Sequence, residues 1–464
     1  MQASRKITIK HWPQLFAQLT ISLSLLSGCA AIDKSKGSNV LDDEGGLATT
    51  SITVDYALDK GPSKQLASGF HHGIGPKYPA QSLIDGVVVR AIRGADHHAR
   101  LPSLFDPDTY HRVRSTGADM MVGLYYAHGT YWPGDEGNWS KWTEIVNKVL
   151  VEAKEKKLEI YSWLPWNEPD LQWEPNGKSL ANYKKAFKIA FDLVKAWNPN
   201  AKVQGPEISI YSMNFMKEFL LYCKANNCIP DVLSWHELEE GPADIEAHTL
   251  EMKNFLVSAG IKPMPFSITE YQALYYGDKS GQAYDPGLSV AYIARLERSD
   301  VNGVVSALKG PWRWTGDDLG FQADLAELAD DQTMSKPTAP WFVYNVYKDM
   351  TGQKVEVKHE KDKIEALAST DKASTTAGST VLIGNWKETT QYDVNLTLAH
   401  IPSYLVNNKK IKITARLVAS AGLGKPIQGW IPKFDQELEM TGDSVTFTLP
   451  TMPPESAYVV QVVP

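Results

Sequence analysis

Residues 160–170 read Ile-Tyr-Ser-Trp-Leu-Pro-Trp-Asn-Glu-Pro-Asp, an apolar run that ends in Asn167-Glu168-Pro169. Pro169 has no N–H to give to a sheet ladder, so regular pairing stops there and Glu168 stands at a strand end. The arrangement returns in Pro265-Phe-Ser-Ile-Thr-Glu270-Tyr271, where a second glutamate follows a strand-like run. Around these stretches short apolar runs alternate with amphipathic helical segments, the rhythm of βα units in a parallel sheet. Helical spacing is clearest over 180–197: Tyr183, Phe187, Ala190, Val194 and Trp197 recur three and four residues apart, and Asn198-Pro199-Asn200 stops the pattern. Residues 141–157 (Trp142, Ile145, Val149, Leu150) and 244–259 (Ile245, Met252, Phe255, Leu256, Ala259) follow the same rule. Strands are expected near 67–70, 87–92, 119–125, 158–163, 202–205, 231–235, 265–269 and 303–307. That number suits an α/β fold in which the strands close a (β/α)8 TIM barrel.

The barrel is expected over 66–351. From 352 to 464 the pattern changes to short β runs, at 381–383, 392–398, 411–418, 445–449 and 458–463, without helical spacing between them. This predicts a C-terminal β-sandwich. A strand within 51–65 is expected to join that sheet, because chain termini often lie close together.

The composition narrows the partners. With 43% hydrophobic and 22% charged residues the chain is that of a folded protein. Lys and Arg total 47 against 54 Asp and Glu, a net charge of −7, with no long basic run. Nucleic acid is therefore not an expected partner, since phosphate binding needs clustered cations. The 14 Trp and 20 Tyr serve ring-stacking sites or well-packed cores equally well.

Arg5, Lys6 and Lys10 precede a short, interrupted apolar stretch from Leu15 to Leu26, a signal-peptide pattern over 1–28 too short for a membrane span. Leu26-Ser27-Gly28-Cys29 resembles the bacterial lipobox. That resemblance implies a lipid on Cys29 and, with Ala30 following, anchoring at the outer membrane; the alternative is an ordinary secretory signal. Residues 29–50, rich in Ser, Gly, Asp and Lys, read as a flexible tether. Cys223 and Cys228 are expected to form a disulfide clip at a helix C-terminus, because disulfides persist in exported proteins. A metal site, the other use of the pair, lacks further ligands in that segment.

Barrel active sites form at the C-terminal ends of the strands. Glu168 and Glu270 meet that test about three βα units apart. Cleaving a glycosidic bond takes two such carboxylates, an acid for the leaving oxygen and a partner for the developing cation. Trp166-Asn167-Glu168-Pro169 on the fourth strand with Glu270 on the seventh resembles glycoside hydrolase clan A, the retaining barrel enzymes. The barrel followed by a β-sandwich most resembles family 39. The resemblance covers nearly the whole mature chain and implies a β-xylosidase-like or related exo-glycosidase acting on oligo- or polysaccharide, without metal or organic cofactor. It implies Glu168 as acid/base, Glu270 as nucleophile and Asn167 as donor to the sugar 2-hydroxyl. It implies further that Arg93 keeps the nucleophile ionised by its charge. Where the clan usually places a His followed by Tyr, this chain reads His236-Glu237-Leu238. Tyr271 or Tyr211 is the expected stand-in for the missing phenol, and His236 is either a site residue or a satisfied core histidine. The resemblance implies that Trp312 and Trp314 floor the sugar site, although as core residues they would be equally ordinary, and Trp166 is a further expected substrate contact.

The loops bear on the substrate. Arg93-Gly-Ala-Asp96-His97-His98-Ala-Arg100, with Lys309 and Arg313, gathers cations at the expected mouth. They bind a carboxylate or sulfate on an anionic substrate, uronic or sulfated, or else they balance Asp96, Glu237, Glu239 and Glu270. Adjacent on an extended segment, His97 and His98 point apart and make no zinc pair. Glu207, Glu237, Glu239 and Glu240 rank below the main carboxylates because they lack the joint motif. Two function classes result: a glycosidase, or a non-catalytic glycan-binding surface lipoprotein with an aromatic mouth. The presence of both Glu168 and Glu270 favours the first.

Overall fold

The structure, a computed structural model, describes residues 48–96, 103–125, 132–238, 241–272, 284–300, 304–309, 336–373, 377–387, 389–422 and 424–463. Eight parallel strands close a barrel: β2 (Gly69–His71), β3 (Ala91–Ala95), β4 (Asp119–Gly123), β5 (Ser162–Leu164), β6 (Lys202–Ile208), β7 (Val232–Glu237), β8 (Phe266–Tyr271) and β9 (Val304–Lys309). Closure comes from β2 pairing with β9, Phe70 opposite Lys309. Helices α1 (Gln81–Asp85), α2 (Pro107–Ser115), α3 (Ser140–Glu155), α4 (Pro169–Gln172), α5 (Leu180–Trp197), α6 (Met213–Ala225), α7 (Ile245–Ser258), α8 (Pro286–Ser299) and α9 (Ala339–Asp349) fill the connections and follow the last strand. The three long helices read from periodicity fall within two residues of their expected bounds. The strands moved more. The second begins at Ala91 rather than near 87, because Val87 and Val89 are buried before pairing starts. β6 runs on through Pro206 and Glu207 to Ile208, past the expected end near 205.

The barrel interior is layered. Ala91, Met121 and Leu164 form a small apolar floor with Tyr161 beside it. Beside them Ser162, level with Met121, donates to Gln204 at 2.9 Å, and Gln204 donates to Glu207, further along β6, at 3.1 Å. Polarity thus rises toward the C-terminal strand ends, where charged side chains converge.

The remaining strands are β1 (Thr49–Pro62), β10 (Gln353–His359), β11 (Ile364–Thr370), β12 (Ser379–Asn385), β13 (Tyr392–Ala399), β14 (Lys410–Val418), β15 (Ile431–Glu439), β16 (Val445–Met452) and β17 (Ala457–Val463). Where sequence predicts a two-sheet sandwich, they form one nine-stranded sheet in the order β15-β14-β17-β12-β11-β10-β1-β13-β16. Its two end strands meet, with Phe434 of β15 and Phe447 of β16 at a ring-centroid distance of 5.1 Å. The sheet therefore folds over its own core, into which Val394, Leu396 and Leu398 of β13 and Ile411, Ile413 and Ala415 of β14 alternate. β1 is inserted parallel to β13 and antiparallel to β10.

Helix α8 fastens the sheet to the barrel. Gly287 lies so close to β12 that a Cβ there would run into the carbonyl oxygens of Asn385 and Ser456. Two to three turns further on, its Arg295 and Arg298 hold the buried Glu365 of β11 at 2.6 and 2.9 Å. Glu297, fully buried, accepts from the Leu66 amide at 3.1 Å and pairs with Lys354 of β10 at 3.0 Å.

Cys223 and Cys228 correct the sequence expectation, for both are buried free thiols. The Cys228 amide donates to the Cys223 carbonyl at 2.9 Å, with Asn227 between them in the left-handed region. This is the bond of a Schellman cap, in which the flanking side chains pack as an apolar pair. The five-residue spacing comes from that cap, so a covalent clip is not needed to end α6. No helix among the described residues is long and apolar enough to cross a membrane. Cys29 and the expected tether as far as residue 47 lie outside the described residues; at its end the tether expectation is corrected, for Thr49 and Thr50 already belong to β1, paired with β13.

Candidate active site

Glu168 ends the segment after β5 in the left-handed region, φ 45°, and Pro169 starts α4 directly behind it. A hydrogen bond from the Glu168 amide to the Glu207 carbonyl, 2.8 Å, holds that turn against β6. Asp170 extends the tether, accepting from the Ser209 amide at 3.0 Å. Glu270 enters from β8, and it lies within the strand rather than one residue beyond it. A carboxylate oxygen of Glu168, one of Glu270 and a ring nitrogen of His236 lie within 4.8 Å of one another.

Arg93, wholly buried in β3, organises the floor. Its Nη1 donates to Glu270 at 2.6 Å, its Nη2 donates to the Tyr125 hydroxyl at 3.1 Å and to Asn167 Oδ1, and its Nε lies 3.8 Å from Glu207. His236, also wholly buried, stands between the carboxylates: Nδ1 is 3.4 Å from Glu168, and Nε2 is 3.6 Å from both Glu207 and Glu270. His71 reaches Glu270 from the end of β2 at 3.3 Å.

Burial alone would lower the His236 imidazole, but the Glu270 charge and the Glu168 and Glu207 contacts push it up to about 10. It is therefore a cation at neutral pH. Burial, with the charges of His72, Arg93 and His236, drives His71 far below the ordinary histidine value, so that imidazole is neutral. Burial also works against ionising the three glutamates. For Glu207 the Arg93 charge and His236 override it and hold the carboxyl low. For Glu168 the His236 hydrogen bond and charge, helped by Arg93, do the same. For Glu270 burial prevails over His236 and Arg93, and the carboxyl is raised. Two cations thus face three carboxylates, and the site is neutral when Glu168 and Glu270 share one proton.

Glu168, His236 and Glu270 are near enough to offer three ligand atoms to a metal ion. The guanidinium of Arg93 and the imidazolium of His236 already occupy the same Glu270 oxygen, and their charge repels a metal cation there.

Of the residues expected from sequence, Glu168, Glu270, Asn167, Arg93 and His236 come together. Tyr271 does not join them. Next to Glu270 on a strand, it faces the opposite way, and its hydroxyl donates to the Ala67 carbonyl at 2.6 Å in the helix layer. Tyr211 is also elsewhere, stacked on His248 with its hydroxyl donating to Glu251 at 3.0 Å. Arg93, His71 and His236 surround Glu270 where a phenol was expected. Trp166 is buried inside a cluster with Trp132, Trp142 and Trp173, ring centroids 5.0–5.8 Å away, and so packs the core rather than contacting substrate. His97, His98, Trp312, Trp314, Arg313 and the side chain of Lys309 lie outside the described residues. His71, Tyr125 and Glu207 were not singled out as primary site residues. The signal for His71 was its place directly after Gly69-Phe70, and that for Glu207 was its place at the end of the fifth barrel strand.

No family model matches the chain. It is 25% identical over 441 residues to the 3-O-β-L-arabinopyranosyl-α-L-arabinofuranosidase of Bifidobacterium pseudocatenulatum, covering 82% of this chain and 42% of that protein. It is 26% identical over 413 residues to the 3-O-α-D-galactosyl-α-L-arabinofuranosidase of Bifidobacterium longum subsp. longum, covering 75% of this chain and 34% of that protein. The chain resembles glycoside hydrolase clan A, and within it family 39. A solved structure from Neocallimastix frontalis superposes with a TM-score of 0.73 at 25% identity, over 89% of this chain and 99% of that one. The glycoside hydrolase family 39 enzyme of Xanthomonas axonopodis pv. citri shares the fold, with a TM-score of 0.64 at 14% identity over 92% of this chain and 99% of that one. The chain spans less than half the length of the two curated relatives.

Proposed function

We propose that this protein is a retaining exo-glycosidase that removes α-L-arabinofuranosyl units, with Glu168 as acid/base and Glu270 as nucleophile. The observation that carries the mechanism is the approach of the two carboxylates within 4.8 Å. At about 5 Å the second carboxylate attacks the anomeric carbon itself, whereas a gap above about 6.5 Å admits a water and inverts configuration. The names of the two curated relatives support the arabinofuranosyl part.

In the first step Glu168 gives its proton to the leaving oxygen while a Glu270 oxygen bonds to C1 and the glycosidic bond breaks. Positive charge developing at C1 lowers the Glu270 carboxyl, and the leaving oxygen gives protonated Glu168 an acceptor. The shared proton is thereby drawn to Glu168 as substrate reacts. Once esterified, Glu270 carries no charge, and Glu168, held low by the adjacent His236 cation, takes a proton from the water that cleaves the ester. Arg93 is committed to Glu270, Asn167, Tyr125 and Glu207, which supports a neutral sugar at this centre. An anionic group on the substrate would instead call on Lys309 and Arg313. Export with a lipid at Cys29 belongs to the same proposal and rests on Leu26-Ser27-Gly28-Cys29; loss of fatty-acid labelling in Cys29→Ala tests it.

The test of function is sugar release from aryl α-L-arabinofuranosides and β-xylosides and from neutral, uronic and sulfated oligosaccharides, beside Glu270→Gln. Turnover abolished in the variant is expected. No turnover by either protein, with equal oligosaccharide binding, would make the chain a glycan binder instead.

A further inference from the structure

Three carboxylates meet at the C-terminal end of the barrel, and two suffice for the chemistry. Glu207 is the third. Its side chain is wholly buried, whereas those of Glu168 and Glu270 are 21% and 8% exposed. It therefore meets no sugar and acts only through its neighbours. From its contacts we propose that Glu207 is a positioning residue whose fixed negative charge keeps one proton on the Glu168–Glu270 pair, so that the acid is loaded before substrate binds. The proposal rests on the glycosidase reading.

A local distortion of β6 puts the charge there. Pro206 pairs with Ser234, and Ile208 pairs with the next residue, Trp235, so Glu207 is the extra residue of a β-bulge. Strand alternation alone would put Gln204 and Glu207 on opposite faces. The bulge re-aims Glu207 inward, where Gln204 Nε2 donates to its Oε1 at 3.1 Å. The backbone at Glu207 is in the left-handed region, φ 65°, which residues with a Cβ rarely adopt. Ser234 Oγ of β7 also donates to Oε1, and Thr269 Oγ1 of β8 donates to Oε2 at 2.6 Å. Three neutral donors thus hold the ionised form in place, since hydrogen bonds to a carboxylate favour its charge.

Charge balance gives the consequence. Beside Glu207 stand the cations Arg93 of β3, 3.8 Å away, and His236 of β7, 3.6 Å away. His71, which is neutral, and His72, stacked on it with centroids 3.8 Å apart, close the site from the end of β2. The Tyr125 hydroxyl, Glu168 and Glu270 complete the set. A buried site is held near neutrality, because an unbalanced charge is costly at low dielectric. With Glu207 ionised, two cations leave the other two carboxylates one negative charge between them, and hence one proton. With an uncharged residue at 207 both carboxylates ionise, because His236, raised to about 10, is the more basic group and keeps its proton. Glu168 then has nothing to give to the leaving oxygen. The same fixed charge suits the second half of the reaction: Glu270 is then a neutral ester, Glu168 a carboxylate, and Glu207 balances the second cation.

The test compares kcat/KM against pH for the full chain and for Glu207→Gln, Glu207→Asp and Ser234→Ala, on the phenyl and the 2,4-dinitrophenyl glycoside of the sugar that the wild type releases. Phenolate leaves only with a proton from Glu168, whereas dinitrophenolate leaves without one. Circular dichroism and Tm establish that each variant folds. For Glu207→Gln the basic limb on the phenyl glycoside should move about one pH unit toward acid, a loss of about tenfold above it, with the dinitrophenyl glycoside changed less than about twofold. Glu207→Asp keeps the charge and should leave the limb in place. Ser234→Ala weakens the hold on the charge and should move the limb the same way by less; it decides the matter if Glu207→Gln does not fold. Equal losses on both glycosides with an unmoved limb would make Glu207 a structural residue and overturn the proposal, while the proposed function stands. Absence of wild-type turnover would overturn the proposed function. Carbon-13 NMR of side-chain-labelled glutamate, which needs no turnover, then shows whether Glu207→Gln strips the proton from the pair, and a proton retained there overturns the fixed-charge role.

Discussion

His236 is the residue on which the charge balance of the cleft turns. Raised to about 10 by the surrounding carboxylates, it is cationic at neutral pH, and its favourable contribution is lost as pH rises through that value. His236→Asn takes a positive charge from beside Glu168 and Glu270, so their carboxyls rise and ionise only at higher pH. The acid limb of kcat/KM against pH should therefore move toward neutrality, with roughly tenfold lower activity near pH 5. A limb that stays in place would mean that His236 is not the cation described. The glutamates and Arg93 were legible because each ends or occupies an apolar run. Tyr271 misled because sequence adjacency to Glu270 implied spatial adjacency, whereas neighbours on a strand point to opposite faces. Trp166 misled similarly, since a tryptophan beside a catalytic motif serves a core as readily as a sugar.

At the scale of elements, periodicity located the long helices and most barrel strands, but in the C-terminal sheet it missed β10, β11 and β15, the buried β11 among them because a strand covered on both faces shows no alternation. β15 is exposed along almost its whole length and carries Pro432, Lys433, Asp435, Gln436 and Glu437, so no alternation announced it. β2 and β5 span three residues each, too few to show a period. The Cys223–Cys228 spacing was read as a disulfide because export permits one; the cap geometry accounts for it without a bond. In a Cys29→Ala protein, a thiol reagent should find both cysteines after unfolding in guanidinium without reductant, and neither in the native state. Finding none after unfolding would restore the disulfide.

For the whole molecule, the barrel and the sheet are joined by buried charge as well as by apolar area. Burial opposes ionisation of Glu365, but His359, Arg298 and Arg295 hold its carboxyl down to about 2. The stabilisation from this pairing is thus complete above the ordinary glutamate value and is lost as pH falls through 2. Glu365→Gln leaves two arginines facing a neutral amide and should cost about 3–5 kcal/mol at pH 7. Unfolding in urea at pH 7 and pH 3 should show the variant losing less stability on acidification than the wild type; equal losses would remove Glu365 from the account. The interface was invisible in sequence because its partners, α8, β10 and β11, are brought together only by the closure of both domains.

The central claim is that Glu270 attacks the anomeric carbon directly. Proton NMR of the first product formed from an aryl α-L-arabinofuranoside, recorded before mutarotation, tests it most directly. The released sugar is expected first in the same anomeric configuration as the substrate. An inverted first product would place a water between Glu270 and the sugar and contradict the mechanism.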